Sequence, residues 1–119
     1  MDGFKKVTSR ENPLIKLVSS LQKSAAARRE NGLFVLEGLR LCMDACDNGI
    51  RFDKLIVSFS AAERHAEKIA AFAKNADDCI AVPDALFKKI GDTENPQGII
   101  ALCKIPKTES ASIKKNGKY

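Results

Sequence analysis

The sequence predicts a single α/β domain, a three-layer α/β/α sandwich of about four strands and four helices, and two observations carry that expectation. Four short segments, LFVL (33–36), KLIVS (54–58), CIAV (79–82) and IIALC (99–103), are mostly apolar, and stretches with helical periodicity separate them. A strand wetted on one face would alternate apolar and polar residues, whereas apolar runs between helices belong to a sheet covered on both faces. At 119 residues and 45% hydrophobic content the chain can bury one core of ordinary size.

The elements follow in order. Asn12 is a good N-cap and Pro13 is tolerated at the first helical position, so a helix should start there. Leu14, Val18 and Leu21 form its apolar stripe, while Lys16, Ser19 and Ser20 face away. SAAARRE (24–30) is also helix-friendly and stops at Asn31-Gly32. Strand 33–36 leads into a helix over 38–48, stopped by Gly49, with Leu39, Cys42, Met43, Cys46 and Ile50 on one apolar face. After strand 54–58, Ser60 and Glu63 read as a capping box for a helix that buries Ala62, Ala66, Ile69, Ala70 and Ala73 and ends at Asn75. After strand 79–82, Asp84 caps a short helix running to Ile90 and Gly91, before the last strand. From Lys104 the apolar pattern gives way to Lys, Ser and Thr, as in a flexible tail or linker. The expected division is a basic helical arm (1–31), an α/β/α domain (32–103) and a linker or tail (104–119).

The net charge of +5 is unevenly spread. Residues 1–31 carry seven Lys/Arg against three acids, residues 32–103 eight against eleven, and residues 104–119 five against one. Basic flanks on a mildly acidic body suit a polyanionic partner, most often nucleic acid, although lysine-rich ends also serve solubility alone. No apolar stretch is long enough to span a membrane and the N-terminus lacks the pattern of a signal peptide, so a cytoplasmic location is expected.

Several catalytic constellations are missing from the sequence. The one histidine, His65, sits among Glu63, Arg64 and Glu67 on a predicted helix, as a solvated surface residue would. There is no Gly-rich phosphate loop, His-x-x-His pair or nucleophile elbow. Of the four cysteines, Cys42 and Cys46 lie four apart on a predicted helix, which metal ligands also do, but no Cys-x-x-Cys or second ligand pair accompanies them. Buried reduced thiols fit better, and a small thiol or metal enzyme is the minor alternative.

Two loops stand out. In Glu37-Gly38-Leu39-Arg40 a strand ends and a helix begins, a place where open α/β folds receive ligands. Gly38 would permit close approach of an RNA backbone, and Arg40 could fork onto a phosphate, although this motif alone favours a simple pairing of Glu37 with Arg40 across the turn. In Thr93-Glu94-Asn95-Pro96-Gln97-Gly98, Gln97 can donate and accept hydrogen bonds, as a reader of base edges or ribose must, and a plain connector could carry it too.

Several stretches, Thr8-Ser9-Arg10-x-Asn12-Pro13-x-Ile15-Lys16, Arg28-Arg29, Gly32-x-Phe34-x-x-Glu37-Gly38-x-Arg40-Leu41 with Ala45, and Asn95-Pro96-Gln97-Gly98-Ile99, share an order and spacing. In these, residues 7–103 resemble the N-terminal substrate-binding domain of the SpoU/TrmH (SPOUT) family of RNA ribose 2′-O-methyltransferases. The resemblance implies the sandwich of kink-turn-binding ribosomal proteins and a role in capturing structured RNA, usually ribosomal. It implies RNA contact, or support of that surface, for Arg10, Asn12, Lys16, Arg28, Arg29, Gly38 and Arg40, to which Lys23 and Gln97 are added; Asn12 and Glu37 could serve only as cap and ion-pair partner. Family members continue into a knotted methyltransferase domain that binds S-adenosylmethionine and usually dimerises, and residues 104–119 do not resemble it. The chain is therefore expected to be a monomer, to hold no cofactor and to be inactive alone, positioning RNA for chemistry performed elsewhere. A free-standing ribosomal or kink-turn-binding protein of the same fold is the alternative.

Overall fold

The apolar runs assemble into one sheet in the computed structural model, which describes residues 3–91 and 97–106. The strands are β1 (Lys5–Lys6), β2 (Leu33–Glu37), β3 (Phe52–Ser58), β4 (Ala76–Val82) and β5 (Ile99–Lys104). The helices are α1 (Pro13–Lys23), α2 (Ala25–Asn31), α3 (Leu39–Asp47), α4 (Phe59–Arg64), α5 (Ala66–Lys74) and α6 (Asp84–Ile90). Strand order is β1-β4-β3-β5-β2. β1 and β3 run parallel to β4, and β5 runs antiparallel to both β3 and β2. The carboxyl ends of the first four strands therefore meet the amino end of β5 at one end of the sheet, the loop end.

Both faces are covered, as the unbroken apolar strands require. Ile56, Ile80, Ile100 and Leu102 pack under Ile15, Val18 and Leu21 of α1 and Leu86, Phe87 and Ile90 of α6. On the other face Leu55, Val57, Ala101 and Cys103 meet Cys42 and Ala45 of α3, Ala61 of α4, and Ile69 and Phe72 of α5. The result is the expected three-layer sandwich, with five strands and six helices where about four of each were anticipated. Among the described residues no helix is long and apolar enough to cross a membrane.

The differences have local causes. β1 is two exposed lysines on a sheet edge, a segment with no apolar signal to read. β3 and β4 start earlier than predicted because Asp53, Asp77 and Asp78 occupy strand positions while paired with cations: Lys54 lies 3.6 Å from Asp53 and 3.2 Å from Asp78, and Arg51 2.9 Å from Asp77. In α1 the inward stripe runs through Ile15, and Leu14 is half-buried. Of the apolar face proposed for α3, Cys42 is buried, but Met43 and Ile50 are exposed.

The predicted helix from Ser60 is two helices, broken at His65 (φ −121°, ψ 35°), which is half-buried at the junction instead of solvated in mid-helix. Its cap is Ser58, whose hydroxyl accepts the Ala61 N–H at 3.1 Å, and Ser60 lies inside the first turn. After the break Ile69 and Phe72 turn inward, and Ala66 and Ala70 are exposed. Asp84 is the first residue of α6 and caps nothing in its own helix; its carboxylate accepts from the Ser60 N–H (3.0 Å) and the Ser60 hydroxyl.

Candidate nucleic-acid interface

Gly38 and Leu39 of the first loop singled out in the sequence meet Gln97 and Gly98 of the second at the loop end. β5 starts between the carboxyl ends of β3 and β2, so Gln97 and Gly98 fall between Ser58 and Gly38. Backbone bonds pin this junction: Ser58 N–H donates to Gly98 O (2.8 Å) and Gly38 N–H to Ile99 O (2.9 Å). The Gln97 side chain reaches α3, where Oε1 accepts the Leu39 N–H at 2.7 Å. Gly38 supplies no side-chain cap of its own, so a residue from a distant loop caps this helix. One N–H that could have met a phosphate is thereby occupied. Gly38 has φ 103°, and a Cβ there would lie 2.8 Å from Gln97 Oε1, so only glycine gives the amide its seat.

On either side of this junction the loop end is tied by polar contacts. Glu37 accepts from Gln22 Nε2 (3.0 Å), which also donates to Ile90 O (3.1 Å), joining α1, β2 and α6. Ser58, Ser60, Arg64, Asp84, Lys88 and Gly98 line a cleft of about 160 Å³ between α4 and α6. The Ser60 hydroxyl and N–H, and then Arg64 and Lys88, hold the Asp84 carboxyl below its ordinary range.

The candidate cations fall into separate groups. Arg10 and Lys16 line one groove with Glu11, Ser19 and Lys89, and Lys16 sits 3.2 Å from Glu11. Asn12 between them is the α1 cap, its Oδ1 accepting the Leu14 N–H at 2.8 Å. Lys23 is exposed at the end of α1 and Arg29 on α2, while Arg28 is half-buried and donates to Leu21 O at 2.6 Å, satisfying the end of α1. Arg40 is exposed on the first turn of α3. Thr93 to Pro96, the rest of the second loop, lie outside the described residues. Sequence reasoning missed Arg64, Lys88 and Lys89, which sit on short helices of the acidic body, where only the chain topology shows that they reach the same end of the sheet as Arg10.

The thiols offer no activated nucleophile. Burial pushes Cys42 up to about 12 and Cys103 up to about 11, with neighbouring Cys103 and Cys46 adding to the first and Cys46 and Asp53 to the second. Burial also raises Cys46 and Cys79. Among the described residues no three His, Cys, Asp or Glu side chains are grouped to hold a metal. A cleft of about 430 Å³ lies at the opposite end of the sheet beside Arg51 and Asp77, and no candidate residue lines it.

The family model described as the MRM3-like substrate binding domain matches residues 4–101. No curated protein sequence matches the chain. Among solved structures, an RNA 2′-O ribose methyltransferase is similar at 28% identity and a TM-score of 0.70, over 87% of this chain and 38% of that one. An rRNA methyltransferase from Sinorhizobium meliloti is similar at 25% identity and 0.69, over 86% and 37%. An AdoMet-bound rRNA methyltransferase from the same organism is similar at 27% identity and 0.68, over 93% and 40%. The chain spans about two-fifths of the length of these structures.

Proposed function

Because the chain belongs to the MRM3-like substrate binding domain family, we propose that it binds structured RNA as the substrate-recognition part of an S-adenosylmethionine-dependent RNA ribose 2′-O-methyltransferase. The observation that carries this reading is the convergence at the loop end. Gln97 meets the Gly38–Leu39 backbone there, 58 positions away in the chain, with Arg40 exposed on the adjoining turn of α3, and Arg10, Lys16 and Lys89 line one groove and Arg64 and Lys88 another. An end of a sheet lined by cations and polar loop atoms suits a folded polyanion better than a small apolar ligand.

The domain would contribute position. Phosphate contacts from arginine and lysine fix register and orientation, so that one ribose is presented to chemistry carried out by the part of the relatives that this chain does not span. S-adenosylmethionine, bound in one of those relatives, would supply the methyl group there, and no residue of this chain is assigned to it. Ribosomal RNA is the proposed substrate class, a cytoplasmic location the proposed setting, and the residues that follow β5 the proposed linker.

The test is binding of this chain to a structured ribosomal RNA fragment and to duplex DNA of equal length across a salt series. RNA should be preferred. Arg10→Ala/Lys89→Ala should weaken RNA binding and flatten the log–log salt slope by about 0.7–0.9 for each phosphate no longer neutralised. Equal binding of both polyanions, or of neither, would overturn the reading.

A further inference from the structure

The sequence credits Gln97 with both donating and accepting, but in the fold half of that capacity is used. A primary amide has one carbonyl oxygen and one NH₂ group. Its partner here is the Leu39 N–H, 2.7 Å away, and an N–H can be met only by the oxygen, which fixes the orientation of the amide by chemistry. The side chain is exposed, and no described residue accepts from Nε2. The tip is seated on the bare backbone of Gly38, and the adjoining backbone is fixed by the Ser58 and Gly38 hydrogen bonds. A donor held this way loses little freedom when it is used.

We propose that Gln97 is a donor-only reader of RNA: its Nε2 donates to a hydrogen-bond acceptor on the nucleic acid, while its oxygen is committed to α3. This rests on the RNA-binding reading and adds a selection rule to it. The position takes a base carbonyl or ring nitrogen, or an oxygen of the ribose–phosphate backbone, and rejects a group that can only donate.

The discriminating variant is Gln97→Glu, which keeps an oxygen for the Leu39 N–H, places negative charge where a helix start tolerates it, and removes the donor. Its unfolding midpoint should stay at or above that of the wild type, while affinity for the structured ribosomal RNA fragment falls roughly tenfold, the range of a lost hydrogen bond to a charged or fixed partner. Thr8→Glu, an exposed change in another loop of the same end, controls for added charge and should weaken binding much less. RNA transcribed with base analogues lacking acceptors should lose affinity for wild type but not for Gln97→Glu if a base is read; phosphorothioate RNA should do so if the backbone is read. Equal loss in Thr8→Glu, or unchanged RNA binding by Gln97→Glu while the wild type binds, overturns the donor assignment alone. Failure of the wild type to bind RNA overturns both readings.

Discussion

Three glycines show how a single position can be constrained to different degrees. Gly49 has φ 74° and open space where a Cβ would go, so Gly49→Ala meets only the backbone penalty, about 1 kcal/mol. At Gly38, with φ 103°, the new methyl also collides with the amide oxygen of Gln97, the free end of a side chain that can withdraw. The added loss there is the helix cap, for a total of about 2 kcal/mol. At Gly98 the collision is with the buried Ser58 hydroxyl and with Ala61 Cβ 2.8 Å away, neither of which can leave, so the loss should reach about 3 kcal/mol or more. Urea unfolding should therefore rank the variants Gly49→Ala, Gly38→Ala, Gly98→Ala in rising destabilisation, and equal midpoints would contradict the packing described. The sequence marks Gly38 and Gly98 as special, through their place between strand and helix and before a strand. It does not show that they serve each other's loops, because Gln97 and Leu39 are 58 positions apart.

Between elements, the contact of Asp84 with Ser60 ties α6 on one face of the sheet to α4 on the other across the end of β3. The Asp84 carboxyl is held below its ordinary range first by the Ser60 hydroxyl and N–H, so folding favours its charged form. A carboxyl whose folded pKa is depressed adds stability that is complete above the unfolded value and is lost as pH falls through the folded one. Asp84→Ala should thus lower the unfolding midpoint at pH 7, and the gap from wild type should close as the pH is taken below about 4. Because the group is almost fully exposed, the gap should be small, and a gap that persists unchanged at pH 2 would place its origin elsewhere. The same pair explains why local sequence misleads in this region. Ser60 and Glu63 carry the local signature of a capping box, and Asp84 stands where a cap is expected. The serine two positions earlier in the chain takes the cap, and the two expected caps bind each other. Apolar runs made the four long strands legible, and Asn12-Pro13 and Asn31-Gly32 marked the start of the first helix and the end of the second. Strand ends built from Asp–Lys pairs, and a helix break at His65, depend on partners that periodicity does not reveal.

At the scale of the whole molecule, the charge asymmetry between the flanks and the body is only partly preserved in space. Arg10 and Lys16 of the basic N-terminal segment lie beside Lys89 of the acidic body, which a linear charge count cannot anticipate. The thiols are divided by the fold in the same way. Cys42 and Cys103 are fully buried on the α3 face of the sheet, with thiols pushed up to about 12 and about 11. Cys46 and Cys79 are half-buried. At pH 8 a thiol near 12 is ionised in roughly one molecule in ten thousand, and reagent cannot reach it without opening the core. In a titration of native protein with a disulfide-exchange reagent, Cys46 and Cys79 should react first, by local exposure. Cys42 and Cys103 should react only as fast as the whole domain opens, so that subdenaturing urea accelerates these two in step with the unfolding equilibrium and leaves the other two nearly unchanged. All four should react together once the chain is unfolded. Rapid modification of Cys42 in the native state, identified by mass spectrometry of the labelled peptides, would show an open, activated thiol, and with it the chemistry of a small thiol enzyme that this packing argues against.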